Sequence, residues 1–79
     1  MDADEYVKVL IGKSNLFLKK NQKVHISMQS GSAAFYNGFI YEIKSDFIMF
    51  LDDVLGELPV FYSQIQDIEP YTIDHLKNM

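Results

Sequence analysis

The sequence predicts a mainly β chain: one N-terminal α-helix, then a five-stranded, strongly bent antiparallel sheet forming a small open barrel. Three observations predict it. Residues 23–70 divide into five short apolar runs separated by polar or glycine-containing turns, the spacing of successive hairpins. A lone glycine, Gly38, sits inside the second run, where a strand glycine marks a bend or a close backbone approach. One helix-like segment precedes the runs, and no other precedes the last of them.

The helix is expected over residues 2–18. Asp2 with Glu5 three residues later has the form of a capping box, and these acids suit the positive end of the helix dipole. Val7, Leu10 and Ile11 recur on one face, and Lys19 and Lys20 suit the negative end. Gly12 and Ser14-Asn15 argue for an early stop, and Asn21-Gln22 reads as a polar connection. The first strand, Lys23–Met28, points Val24, Ile26 and Met28 one way and His25 and Ser27 the other. The turn Gln29-Ser30-Gly31-Ser32 follows. The second strand runs from Ala33 to about Ile43, with a bend at Gly38 that lets one long strand serve two halves of a barrel.

Lys44-Ser45-Asp46 is a short turn into the third strand, Phe47–Asp52. That strand is apolar at alternate and intervening positions, as in a strand buried in the middle of a sheet. Residues 53–57 form a loop around Gly56, and Leu58–Tyr62 is the fourth strand. Pro59 has no N–H for a ladder bond, which puts that strand at an edge. Ser63-Gln64 makes a tight corner into the fifth strand, Ile65–Glu69, closed by Pro70. A tail, 71–79, is read as a short helical turn or a frayed end.

Seventy-nine residues fit a single domain spanning 1–79, with the barrel over 23–70. A chain this short buries a small fraction of its surface and often relies on disulfides, metals or self-association. There is no cysteine, and His25 and His75 are too isolated for zinc-ligand spacing, so no metal or other cofactor is expected. Self-association remains, and 48% hydrophobic residues support it. The acidic N-terminus and the shortness of the longest apolar run, Phe47–Leu51, point away from a signal peptide or membrane span and toward a cytoplasmic protein. The formal charge of −4 counts against broad electrostatic binding to nucleic acid. A local basic patch is compatible with it: Lys13, Lys19, Lys20 and Lys23 lie close together in sequence.

The pattern Ser30-Gly31, Gly38-Phe39-Ile40-Tyr41-Glu42-Ile43 and Phe47-Ile48-Met49-Phe50-Leu51-Asp52-Asp53 resembles the first motif of the Sm-like family, which comprises Sm and LSm proteins and the bacterial RNA chaperone Hfq. The segment from Val60 to Pro70 is closer in spacing to Hfq, whose last two strands also meet at a tight corner. The resemblance covers roughly residues 4–70. It implies a homo-oligomeric ring, single-stranded RNA as a partner, and a base pocket between the turn after strand two and the corner between strands four and five. Alignment without a gap puts Lys44, Asp46 and Ile48 where the family carries its aspartate, stacking residue and asparagine. A shift of one residue puts Phe47 at the stacking position, and Tyr62-Ser63 takes the place of the corner pair. The RNA-contacting residues implied are thus Lys44, Asp46, Phe47, Tyr62 and Ser63.

Each has a plainer alternative. Phe47 either stacks on a base or starts a buried strand. Tyr62 stacks at a ring lumen or seals a subunit interface. Lys44 and the N-terminal lysines contact phosphate or are solvated. No catalytic constellation is visible. His25 has no acid or nucleophile beside it in sequence, Asp52 and Asp53 point to opposite faces of a strand, and Gly31 and Gly38 open no helix. A non-catalytic protein is therefore expected. An open barrel leaves strands four and five with unpaired backbone groups. Pairing of one subunit's strand four with the next subunit's strand five would satisfy them, with Val60, Phe61, Tyr62, Ile65 and Ile68 at the interface. A protein-interaction scaffold on the same fold, without nucleic-acid affinity, is the rival reading.

Overall fold

Helix α1 spans Ala3–Lys20, and strands β1 to β5 follow as Val24–Met28, Phe35–Ile43, Phe47–Asp52, Gly56–Phe61 and Ile65–Pro70. The computed structural model describes residues 3–31 and 33–72. The expected capping residue Asp2, the turn residue Ser32 and the tail from 73 onward, His75 included, lie outside the described residues.

The helix continues past Gly12, Ser14 and Asn15, two residues beyond its expected end. Its inner face explains why. Leu10 and Ser14 are buried, and Tyr6, Val7, Ile11 and Phe17 pack against the core. Tertiary packing of one face outweighs three weak helix formers. The helix stops by a local device that Asn21 supplies. Asn21 adopts a left-handed conformation with φ 52°. Its N–H donates to the Leu18 carbonyl at 3.1 Å, and the Gln22 N–H donates to the Phe17 carbonyl at 2.9 Å. This is a Schellman cap with asparagine in the position glycine usually takes.

Ser14 is fully buried, and its hydroxyl has no hydrogen-bond partner. A buried hydroxyl without a partner costs about 1–3 kcal/mol, and alanine is the better helix former. Ser14→Ala is therefore expected to raise stability by about 1 kcal/mol in urea unfolding; a loss of stability would show that the hydroxyl is satisfied in solution.

The strands form one antiparallel sheet in the order β4-β3-β2-β1-β5. The sheet is not closed on itself; β4 and β5 are its two margins. Val24 and Ile26 of β1 point inward as their alternation requires, and Met28 packs against the same core. Gly38 stands opposite Val24 on one side and Asp52 on the other. A Cβ there would lie 1.9 Å from the Leu51 carbonyl oxygen, so Gly38 marks a close backbone approach. The irregularity in β2 comes three residues later, as a bulge at Tyr41, where the register shifts between Ile40 and Glu42. The bulge returns Ile43 to the core side.

Strand β3 occupies its expected range, but only one of its faces is covered. Ile48, Phe50 and Asp52 are buried, whereas Leu51 is 47% exposed. A second, outward apolar surface therefore runs along β3. Strand β4 begins two residues early because Asp52 organises the turn before it. The Asp52 carboxylate accepts from the Val54 and Leu55 N–H groups, both at 2.9 Å, and from the Asn37 N–H at 3.2 Å. Gly56, at φ 79°, supplies the left-handed position that a three-residue hairpin loop needs. The Asp52-Asp53 pair is thus a turn device, with Asp53 directed instead to Lys23.

Candidate functional site

The site expected from sequence is the junction of the β2–β3 turn, residues 44–46, with the β4–β5 corner, a short 3-10 turn at Tyr62–Gln64. Backbone bonds lock the two together. The Lys44 N–H donates to the Phe47 carbonyl at 2.9 Å, closing the turn. The Tyr62 N–H donates to the Asp46 carbonyl at 3.1 Å. The Tyr62 hydroxyl donates to the Lys44 carbonyl at 2.7 Å. On its other side the corner is held by the residue that follows β1: the Gln29 N–H donates to the Gln64 carbonyl and Gln29 Nε2 to the Ser63 carbonyl, both at 2.8 Å.

Between these loops and the start of α1 lies an open cavity of 510 Å³, lined by Asp4, Val7, Ser45, Asp46, Phe61, Tyr62 and Ser63. Three of the five residues expected to contact RNA line it: Asp46, Tyr62 and Ser63. Lys44 does not line it; its ammonium forms an ion pair with Glu42 at 2.7 Å. Phe47 is half-buried and packs against Phe61, ring centroids 5.2 Å apart and tilted by 46°. Tyr62 is fully buried and its hydroxyl is committed to the Lys44 carbonyl, so it builds the cavity wall instead of offering a free ring face. Burial pushes the Tyr62 phenol pKa above its ordinary value, and the negative charge of Asp46 adds to the rise. The ring available at the surface is Phe61, which is 41% exposed. Sequence alternation could have found it, since Phe61 lies on the opposite face from Val60 and Tyr62.

Of the residues expected at a subunit interface, Val60, Tyr62, Ile65 and Ile68 all lie in the subunit's own core, each at most 1% exposed. They point inward because β4 and β5 pair with β3 and β1 through the same register that fills the core. Only Phe61 presents its side chain outward. The basic patch is also partly consumed. Lys13 reaches Asp67 at 2.7 Å, tying α1 to β5, and Lys23 pairs with Asp53 while lying 4.4 Å from the centre of the Tyr71 ring. The hydrogen bond to Asp53 raises the Lys23 pKa above its ordinary value. These are exposed pairs that hold geometry more than they add stability.

His25 Nδ1 lies 2.6 Å from Asn37 Oδ1, and its ring stacks on Phe35 at 5.2 Å. Among the described residues no group of three or more His, Cys, Asp or Glu side chains could hold a metal ion. No helix among the described residues is long and apolar enough to cross a membrane. The cavity can offer hydroxyls from Ser45 and Ser63 and an apolar wall from Val7 and Phe61, but its charged groups, Asp4 and Asp46, are both acidic. No protein-family model matches the chain, and no curated protein matches it.

Proposed function

We propose that this chain is a non-catalytic Sm-like subunit that assembles with copies of itself into a closed ring and works as an interaction scaffold. The observation that carries this reading is the sheet order. All four neighbouring pairs are satisfied, and the two margins are β4 and β5, the pair that must meet for a ring to form. A strand margin with free N–H and C=O groups is a template for another strand. When one copy's β4 adds to the next copy's β5 and the rotation closes, no edge is left and the sheets become a continuous barrel wall. The interface side chains are then the outward ones beside the β4 margin. Phe61 and Leu51 are the best placed, since both are exposed and share the face opposite the core. Val60, Ile65 and Ile68 contribute backbone only.

Native mass spectrometry at micromolar concentration tests the ring. The expected result is one closed species larger than a dimer. Phe61→Asp is expected to release folded subunits from it, with the circular dichroism of the sheet retained. A wild-type chain that remains a subunit of single mass at that concentration ends the proposal.

A second reading places single-stranded RNA in the 510 Å³ cavity. The exposed Phe61 ring beside two serine hydroxyls favours it, because a ring face stacks on a base at about 1–3 kcal/mol. Asp4 and Asp46 oppose it by repelling phosphate. If RNA binds, few phosphates are neutralised, so affinity should change little with salt. Fluorescence polarisation with U-rich and A-rich oligonucleotides decides between the readings, and absence of binding to either leaves the scaffold.

A further inference from the structure

We infer that a cavity between the start of β2 and the tip of the β3–β4 hairpin binds an alkylated ammonium ion, held by aromatic rings and by the carboxylate of Asp52. This open cavity of 420 Å³ shares no lining residue with the 510 Å³ cavity beside the β4–β5 corner. The inference goes beyond the ring and stands whether or not subunits assemble. Small-ligand sites occupy about 300–1,000 Å³, and the cavity falls within that range.

Three aromatic side chains, Phe35, Tyr36 and Tyr71, line it. Aromatic rings attract a cation through their electron-rich faces. Phe35 is fixed by stacking on His25, and Tyr36 by a tilted contact with Phe50 at 6.4 Å. The chain already displays the chemistry at two of the lining residues. Lys23 Nζ lies 4.4 Å from the centre of the Tyr71 ring while it pairs with Asp53.

Lys23 answers the charge of Asp53, and the other charge in the lining is Asp52. Asp52 is 8% exposed, and no cationic side chain among the described residues pairs with it. Aspartate is almost never buried this far unless paired. Its Oδ2 accepts from the Val54 and Leu55 N–H groups, and its Oδ1 accepts from the Asn37 N–H. An ionised carboxylate offers about four acceptor sites, so one remains on Oδ1. An ammonium N–H supplies both a donor for that site and the counter-charge.

The rest of the wall decides which ammonium. Val54 and Leu55 stand 89% and 64% exposed at the hairpin tip, and both line the cavity. Two adjacent apolar side chains gain when they are covered. A bare ammonium is strongly hydrated and would shed that water against them. N-methyl groups give the head an apolar coat, and one N–H must stay for Asp52. A dimethylated ammonium meets both requirements. Phosphates and carboxylates are repelled by Asp52.

Amide chemical-shift titration of the full chain with N,N-dimethylethanolammonium tests this. Shifts are expected to centre on Phe35, Asn37, Val54 and Leu55, not on Asp46 and Phe61. The neutral alcohol 3-methylbutan-1-ol has the same shape with carbon in place of the charged nitrogen, and should bind at least about tenfold more weakly. Tyr71→Leu keeps an apolar side chain and removes a ring; Asp52→Asn keeps the shape and removes the charge. Each should weaken binding about tenfold. Asp52→Asn also takes an acceptor from the hairpin turn, so its fold is checked by circular dichroism, and Tyr71→Leu decides if that variant is unfolded. A short peptide with one Nε-dimethyl-lysine separates the sources of the head: tighter binding than the free amine assigns a protein side chain, and equal binding assigns a free amine. No shifts at millimolar amine, shifts centred on Phe61, an alcohol that binds as well as the ammonium, or unchanged affinity in folded Tyr71→Leu overturns the inference. None of these results bears on ring mass, which is read separately from the Phe61→Asp variant.

Discussion

Gly38→Ala is expected to unfold most of the population at temperatures where the wild-type chain is folded. A Cβ at this position would sit 1.9 Å from the Leu51 carbonyl oxygen, 2.9 Å from its carbon and 3.1 Å from the Asp52 Cα. All three obstacles are backbone of the neighbouring strand, so no side chain can swing aside. Relief requires β2 and β3 to separate at the Gly38–Asp52 pair, which also disturbs the carboxylate turn that Asp52 organises. Ordinary overpacking in a core costs about 1–3 kcal/mol, and a backbone clash exceeds that range. A loss of about 3 kcal/mol or more corresponds to a fall in melting temperature of about 12–24 °C for a chain of this size. Gly12→Ala is the control: it has open space around it and should gain stability through helix propensity. Thermal melts at equal protomer concentration measure both. Gly38→Ala melting with the wild type would mean that the two strands are farther apart than described.

Tyr62→Ala is the second large effect, expected to cost about 3–5 kcal/mol, as for removal of a buried aromatic ring. Tyr62 is among the largest fully buried side chains, and it joins the β2–β3 turn to the β4–β5 corner through its hydroxyl and its own N–H. Tyr62→Phe isolates the hydroxyl bond and should cost about 0.5–1.5 kcal/mol. The hydroxyl also carries a pH signature. Burial raises the folded pKa above 10.0, so the unfolded chain loses this proton first. Between 10.0 and the higher folded value the unfolded state binds fewer protons, and unfolding free energy falls as pH rises. The contribution is whole below pH 10 and disappears as pH climbs through the folded value. Tyr6, Tyr41 and Lys23 have raised pKa values too and act in the same direction. Tyr62→Phe should therefore flatten the alkaline limb of a stability profile without abolishing it. An alkaline limb identical to that of the wild type would place the hydroxyl in solvent.

Particular residues show where local pattern was enough. Phe47–Asp52 forms a strand over the expected range because its β-branched and aromatic residues sit between two turn-forming segments. Val24 and Ile26 point inward because a half-covered strand alternates with period two. The fourth strand lies at an edge, as the missing N–H of Pro59 requires. The helix end was less legible. Asn21 looks like linker in sequence, and only its φ and the paired bonds to Leu18 and Phe17 show a cap. The bulge at Tyr41 left no local signal, because glycine marked a different position in the same strand.

At the candidate site, the two loops were legible but the availability of their side chains was not. Tyr62 and Ser63 do line a cavity beside Asp46. The Tyr62 ring, however, is consumed by the core, and Lys44 is turned to Glu42. Periodicity says which residues share a face; it does not say whether that face will be covered. For β5 it did not show that Ile65 and Ile68 both lie inward, across a register shift between Ser27 and Met28.

What the residues by themselves determined is the succession of one helix and five strands; the close approach of two backbones at Gly38, where a bend was expected, belongs to the fold. That succession rests on interactions a few residues long: alternation, turn chemistry and the dihedral limits of glycine and proline. Folding in three dimensions decided the rest. It selected which side of β3 to cover, left Phe61 and Leu51 outward, and joined Lys13 to Asp67 across 54 positions. Those outcomes depend on contacts between distant segments, whose free energy no local window of sequence contains.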